Sequence, residues 1–212
     1  YDMAVIASYA LRNSGVTDIC TARQYTCNEL NSKRNVNITT ANAFLSMMDG
    51  AIGMKTGFTG KAGYCFVGAL KQDGRTFVSV VLGCGWPPHK TYKWSDTRKL
   101  MSFGINNFFP QKVLVPDPDF GKIRVTGGVS DECKVEITDS LEMLVSDEEN
   151  VDVSYEMPEN VEAPVHKGDV AGYAHIKVNG QNYISYPIKI KDDIDGVNYI
   201  WFLNKIINDY IL

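Results

Sequence analysis

Little in this chain suits metal or nucleic-acid chemistry. Its three histidines, His89, His166 and His175, are scattered and form no constellation. The five cysteines, Cys20, Cys27, Cys65, Cys84 and Cys133, include no Cys-x-x-Cys pair and no Cys/His spacing of a zinc site. An odd count excludes a fully paired intrachain framework, and a Cys20–Cys27 pairing stays open. The carboxylates nowhere follow the Asp-x-Asp-x-Asp-Gly pattern of a calcium loop. No metal and no cofactor are therefore expected. No apolar run reaches the ~20 residues of a membrane span, and no signal-peptide pattern opens the chain. Excess positive charge is missing too: the formal net charge is −4, which argues against a nucleic-acid partner.

The charge that is present is unevenly spread. Residues 1–110 carry 12 Lys/Arg against 6 Asp/Glu, whereas residues 111–191 carry 8 against 15. That change of sign near Pro110 marks a domain boundary. Asp2 can cap a helix with apolar positions Met3, Ile6, Ala7, Ala10 and Leu11, and Ser14-Gly15 is expected to stop it. Residues 16–50 read as short strands and loops, with 31–40 a polar loop and 40–48 a short helix or a lead-in to the next strand. Two apolar runs follow, Tyr64 to Leu70 and Arg75 to Leu82, joined at Lys71-Gln72-Asp73-Gly74. They predict a hairpin of central strands buried on both faces, with helices on each side. Cys65 and Cys84 read as small buried hydrophobes. Ser95 or Asp96 is then expected to cap a helix that buries Trp94, Leu100 and Phe103.

Ahead of the hairpin lies the stretch around which the chain is organised, Gly53-Met54-Lys55-Thr56-Gly57-Phe58-Thr59-Gly60-Lys61-Ala62-Gly63-Tyr64. In an extended segment Lys55 and Gly57 face one way and Thr56 the other. Gly57 has no Cβ, so another backbone can come close to the strand. A lone Lys-Thr-Gly triplet says little, because a lysine on a strand is ordinarily a solvated face residue and Gly-Phe-Thr-Gly a turn. Gly-x-Lys-Thr-Gly-x-Thr, then Lys-Ala-Gly-Tyr and a hairpin, is more specific. It resembles the third active-site motif of the penicillin-binding proteins, and of these the low-molecular-mass D-alanyl-D-alanine carboxypeptidases.

The resemblance implies a serine acyl-transfer site. It assigns Lys55 to the electrostatics and proton relay, and the Thr56 hydroxyl to the terminal carboxylate of a peptide. The backbone N–H of Phe58 would be an oxyanion-hole donor. Gly57 and Thr59 would line the substrate, which lies antiparallel along the strand. Lys90, in the loop before the helix, is the nearest candidate for a basic residue near the substrate carboxylate. The family's other two motifs, Ser-x-x-Lys and Ser-x-Asn, do not occur: none of the serines is followed three residues later by lysine. The expectation is a fragment, inactive alone, forming one wall of a cleft whose other wall is encoded elsewhere. A non-catalytic cell-wall-binding or scaffold fragment is the alternative.

Beyond Pro110, strand-like runs alternate with Gly, Asp and Asn turns, and Asn179-Gly180 is a hairpin signal. Val165-His166-Lys167-Gly168-Asp169-Val170 resembles a segment of the same family's C-terminal β domain. From Asn198 to Leu212, Tyr199, Leu203, Ile206 and Tyr210 recur at helical spacing opposite Asn204, Lys205 and Asn208. This amphipathic tail suits either packing on protein or contact with a membrane surface. The expected fold class is α+β: a partial transpeptidase/β-lactamase-like domain over 1–109, a small all-β sandwich over 110–192, and a helical tail over 193–212. Peptidoglycan stem peptides and β-lactams are the implied partners, self-association through exposed strands is possible, and the implied location is extracytoplasmic, at the cell envelope.

Overall fold

The computed structural model describes residues 1–30, 34–116 and 120–210, with side chains through 208. The chain divides into two compact units, Tyr1–Phe108 and Phe109–Leu212.

The first unit opens with helices α1 (Asp2–Ala10) and α2 (Ser14–Thr21). Asp2 lies in the first turn of α1 but makes no side-chain cap. Ser14-Gly15 does not end the first helix; it begins the second. The cause is Asn13, whose side chain accepts the N–H groups of Gly15 and Val16 and so restarts the helix. Strands β1 (Gln24–Asn28) and β2 (Asn35–Thr39) then pair antiparallel, so part of the expected polar loop is a strand. Every residue of β2 is exposed. Val36 and Ile38 do alternate with Asn35, Asn37 and Thr39, but the polar majority of the segment reads as loop. The rest of that expected loop, 31–33, lies outside the described residues. A 3₁₀ turn, Ala43–Ser46, buries Phe44 and Leu45.

The centre of the unit is a sheet of β3 (Ala51–Thr59), β4 (Gly63–Gln72) and β5 (Arg75–Val81) in that order. β4 and β5 meet at Asp73-Gly74, both at positive φ (51° and 75°), as a two-residue primed hairpin turn requires. β4 is central, and Phe66, Val67, Ala69 and Leu70 are buried on both its faces. β5 is an outer strand with Thr76 exposed, not the doubly buried strand expected. Helix α3 (Tyr92–Asn107) packs on the Phe66/Leu70 side, where Trp94 and Met101 join the core. It starts three residues before Ser95, which instead bonds back to the Tyr92 carbonyl. Its buried stripe is Lys93, Trp94, Thr97, Met101 and Gly104. Leu100 and Phe103 fall off that stripe and are exposed, contrary to expectation. Cys65 and Cys84 are half-buried, and all five cysteines are free.

β6 (Phe108–Leu114) carries the chain into the second unit and pairs with β9 (Leu141–Ser146). Its larger sheet runs β10 (Val151–Glu156), β12 (Val170–Val178), β13 (Gln181–Ile190), β8 (Glu132–Glu136), β7 (Lys122–Thr126), β11 (Asn160–Glu162). β8 joins its two halves: Glu132 to Lys134 pair with β7, and Val135 and Glu136 pair with β13. Ile123, Val125, Val135, Ile176, Ile188 and Ile190 fill the core, with Leu114 and Leu141 packed among them. β11, a three-residue strand parallel to β7, gave no sequence signal. Helix α4 (Tyr199–Tyr210) follows, and the Asn198 side chain accepts the Trp201 N–H at its start. Tyr199, Ile200, Phe202, Leu203 and Ile206 on α4 are exposed.

Candidate active-site strand

The path into β3 is set by Gly53. It has φ 91°, Met54 follows at φ 124°, and the pairing with β4 slips between Ala51 and Gly53. A Cβ on Gly53 would lie 2.8 Å from both the Cys20 carbonyl oxygen and the Asn42 amide nitrogen, and 3.1 Å from Leu45. The bulge sets the phase of everything after it. Beyond it Lys55, Gly57 and Thr59 share one face, and Thr56 and Phe58 the other.

Which peptide groups are free follows from β4. The Tyr64 N–H donates to Gly85 O at 2.9 Å, and the Cys84 N–H donates to Tyr64 O at 2.7 Å. Tyr64 therefore turns both its peptide groups away from β3. Its cross-strand partner is Phe58, so this pair is a non-hydrogen-bonded one. The N–H and C=O of Phe58, and of Thr56 two residues earlier, point to the outer side of β3. No strand pairs there among the described residues, because β3 is the first of its sheet. Lys55 is exposed, and its ammonium donates to the Thr56 carbonyl on that outer side. Gly57 is open: an added Cβ would meet only Cys65 Cβ, at an ordinary 3.9 Å. The Thr59 hydroxyl accepts the Ala62 N–H at 3.0 Å and so braces the turn. Lys90 is exposed in the loop leading to α3, and among the described residues no hydrogen bond or ion pair joins its side chain to the strand.

The structure adds residues that the sequence reading passed over. The Phe58 ring lies against Tyr64 at a 32° tilt, centroids 4.5 Å apart. The Lys93 ammonium lies 4.9 Å from the Tyr64 ring and 4.7 Å from that of Trp94, which meets Phe66 edge-on. Lys93 is only 9% exposed, and burial holds its amine below the usual pKa, against a smaller opposing pull from Cys65. The available signal was its spacing of four and eight residues from buried Thr97 and Met101; starting the helix at Ser95 left it out. The Trp86 indole donates to the Gly60 carbonyl at 2.9 Å and covers the β3–β4 turn. The Cys84 thiol, pushed up to about 11 by burial and then by Asp96, bonds the Asp96 carboxylate at 3.0 Å. That bond is the main reason Asp96 stays below the ordinary carboxylate range.

An open strand edge with outward N–H groups and a lysine beside it can accept an extended peptide and present a donor to a developing oxyanion. Residues 1–85 match the family described as D-alanyl-D-alanine carboxypeptidase, and residues 108–195 match that described as penicillin-binding protein 5, C-terminal domain. The D-alanyl-D-alanine carboxypeptidase DacF of Bacillus subtilis is 24% identical over 99% of this chain and 54% of its own length. DacA of Haemophilus influenzae, likewise named a D-alanyl-D-alanine carboxypeptidase, is 27% identical over 91% of this chain and 48% of its own. The crystal structure of penicillin binding protein 5 from Haemophilus influenzae shares the fold, with a TM-score of 0.67, 24% identity, and coverage of 92% of this chain and 56% of that one. The chain thus spans about half the length of the curated relatives it matches. Because the two family matches run in order along one chain and take in both the lysine-bearing strand and the β-rich unit, the chain belongs to the D-alanyl-D-alanine carboxypeptidase family of penicillin-binding proteins and carries its C-terminal portion.

Proposed function

We propose that this chain supplies the substrate-binding wall of a serine-type D-alanyl-D-alanine carboxypeptidase acting on peptidoglycan stem peptides. In that reaction a serine attacks the carbonyl of the penultimate D-Ala. The C–N bond breaks, the terminal D-Ala leaves, and water hydrolyses the ester. The nucleophile is not among these 212 residues. The chain's own part is to bind and orient. Phe58 N–H receives the developing oxyanion, and one such donor is typically worth about 10²–10³ in rate. Lys55 supplies positive charge and a proton route. The Thr56 hydroxyl meets the terminal carboxylate, with Lys90 as a second cation. Gly57 lets the peptide come close, and Thr59 holds the strand end. β-Lactams would take the same edge.

The observation that carries this reading is the outward pair of peptide groups on Thr56 and Phe58. Gly57→Ala tests it, since the strand has room for the methyl. Stability should stay within about 1 kcal/mol of the parent. Affinity for a peptide ending in D-Ala-D-Ala should fall at least about tenfold, read from the amide shifts of Thr56 and Phe58. Unchanged affinity, or a peptide that leaves those two amides unmoved, would remove the site.

Two contacts belong to the same proposal, together with an extracytoplasmic place at the cell envelope. No described helix is long and apolar enough to cross a membrane. The exposed apolar side of α4 would instead lie on the membrane surface. On α1, Met3, Val5, Ile6 and Tyr9 are exposed beside a cavity of about 790 Å³ lined by Ala4, Ser8, Leu11, Ile52 and Val78. That face would be covered by self-association. Sedimentation tests both: the protein should run larger than a monomer, and should pellet with phospholipid vesicles unless α4 is deleted. A monomer indifferent to vesicles would refute both contacts.

A further inference from the structure

We infer that Trp86 is a specificity residue: it packs against the side chain of the third residue from the carboxyl end of a peptide extended along β3, and favours a long aliphatic chain there over a short one. This rests on the proposed use of that edge by a peptide. The direction of the peptide follows from the roles already given. Its terminal carboxylate lies at Thr56 and its penultimate carbonyl at Phe58, so the residues upstream pass Thr59 and then Gly60. The penultimate residue lies opposite Phe58, and the third residue opposite Thr59. In an antiparallel pair, L residues directly opposite each other project their side chains to the same face. The third side chain therefore leaves on the face of Lys55, Gly57 and Thr59, and the fourth on the face of Phe58.

The Trp86 ring is held at that end of the strand. Its indole N–H donates to the Gly60 carbonyl at 2.9 Å, so the ring touches the backbone that the upstream ligand residues pass. It also lies on the Thr59 side of the sheet. Cys65 pairs with Gly57 and shares its face. The Cys65 thiol donates to the Ala62 carbonyl at 3.7 Å and accepts the Gly83 N–H at 3.5 Å. A Cβ added to Gly83 would meet that same carbonyl at 3.7 Å and the Trp86 ring at 3.8 Å. The ring is fixed as well as placed. It presses on Gly63, where a Cβ would lie 2.9 Å from it, and neighbouring Gly85 accepts the Tyr64 N–H, which ties the loop to β4. Trp86 is nonetheless 45% exposed. A rigid aromatic surface of this kind gains from being covered and has little freedom left to lose. The ligand strand would run about 4.8 Å outside β3, so a methyl side chain ends short of the indole and a longer chain reaches it.

The test uses the 212-residue protein and peptides ending in D-Ala-D-Ala, with L-norleucine or L-alanine third or fourth from the carboxyl end. Binding is followed by the Thr56 and Phe58 amides. At the third position norleucine should bind roughly fivefold or more tighter than alanine, because more apolar surface leaves water. At the fourth position the two should differ by less than about twofold, since that side chain points to the other face. The Trp86 indole N–H resonance should move with the third-position norleucine peptide and stay in place with the alanine one. Trp86→Ala should bring the third-position preference below about twofold. Equal binding of the two peptides at the third position overturns the inference while leaving the edge intact, and neither that comparison nor the indole shift needs a variant to fold. A preference of the same size at the fourth position, or one that survives Trp86→Ala, overturns it as well. If no peptide moves the two amides, the edge reading itself fails and the inference falls with it.

Discussion

Gly53→Ala should unfold the first unit at a temperature roughly 15 °C or more below the parent. Two costs add at this residue. A positive φ at a non-glycine typically costs about 1–3 kcal/mol. The new methyl would also lie 2.8 Å from a backbone carbonyl oxygen, and backbone cannot swing aside as a side-chain tip can. Overpacking of this kind costs about 1–3 kcal/mol more. The sum is about 2–6 kcal/mol, centred near 4, and each kcal/mol moves the midpoint by about 4–8 °C in a unit of this size. Scanning calorimetry measures it, with Gly57→Ala as the matched control on the same strand. A Gly53→Ala protein melting within 3 degrees of the parent, by this rough scale, would show that the bulge does not depend on glycine. The functional link is direct. The bulge sets which residues after Ala51 face the open edge, so a protein that relaxed around alanine would present different peptide groups there.

The second large effect is an absence of reaction. The 212-residue polypeptide alone should form no covalent adduct with a fluorescent penicillin. None of its serines has a lysine three residues on, and removing a serine nucleophile commonly costs on the order of 10⁶ in rate. Intact-mass spectrometry after long incubation is the measurement. A mass increase located on any serine of this chain would mean that the acyl-transfer centre lies within it, and the assignment of Lys55 and Phe58 to one wall would be wrong. Non-covalent occupation of the β3 edge stays compatible with a null result. Peptidoglycan binding that ignored Lys55→Ala would favour the scaffold alternative.

Several elements were readable because their causes are local. Asp73-Gly74 and Asn179-Gly180 sit at hairpin turns whose positive φ demands those residue types. The amphipathic spacing of α4 and the alternation of β7, β12 and β13 follow from the periods of helix and strand. β11 was not readable, since a three-residue strand leaves no periodic mark, and the alternation of Val36 and Ile38 in β2 was masked by the polar residues around it. Leu100 and Phe103 looked like core because they are apolar. Where α3 begins and which stripe meets the sheet put Lys93 inside and left those two outside.

By itself, then, the order of residues determined the motif around Lys55, the hairpin behind it, the β-rich second half and the family they belong to. Only the folded arrangement decided that β3 is an outer strand among the described residues, that the peptide groups of Thr56 and Phe58 face its outer side, and that Lys93 is buried against the Tyr64 and Trp94 rings. Turn chemistry and side-chain period act over a few residues. Which edge of a strand stays unpaired depends on where distant strands settle, and no short-range pattern encodes that.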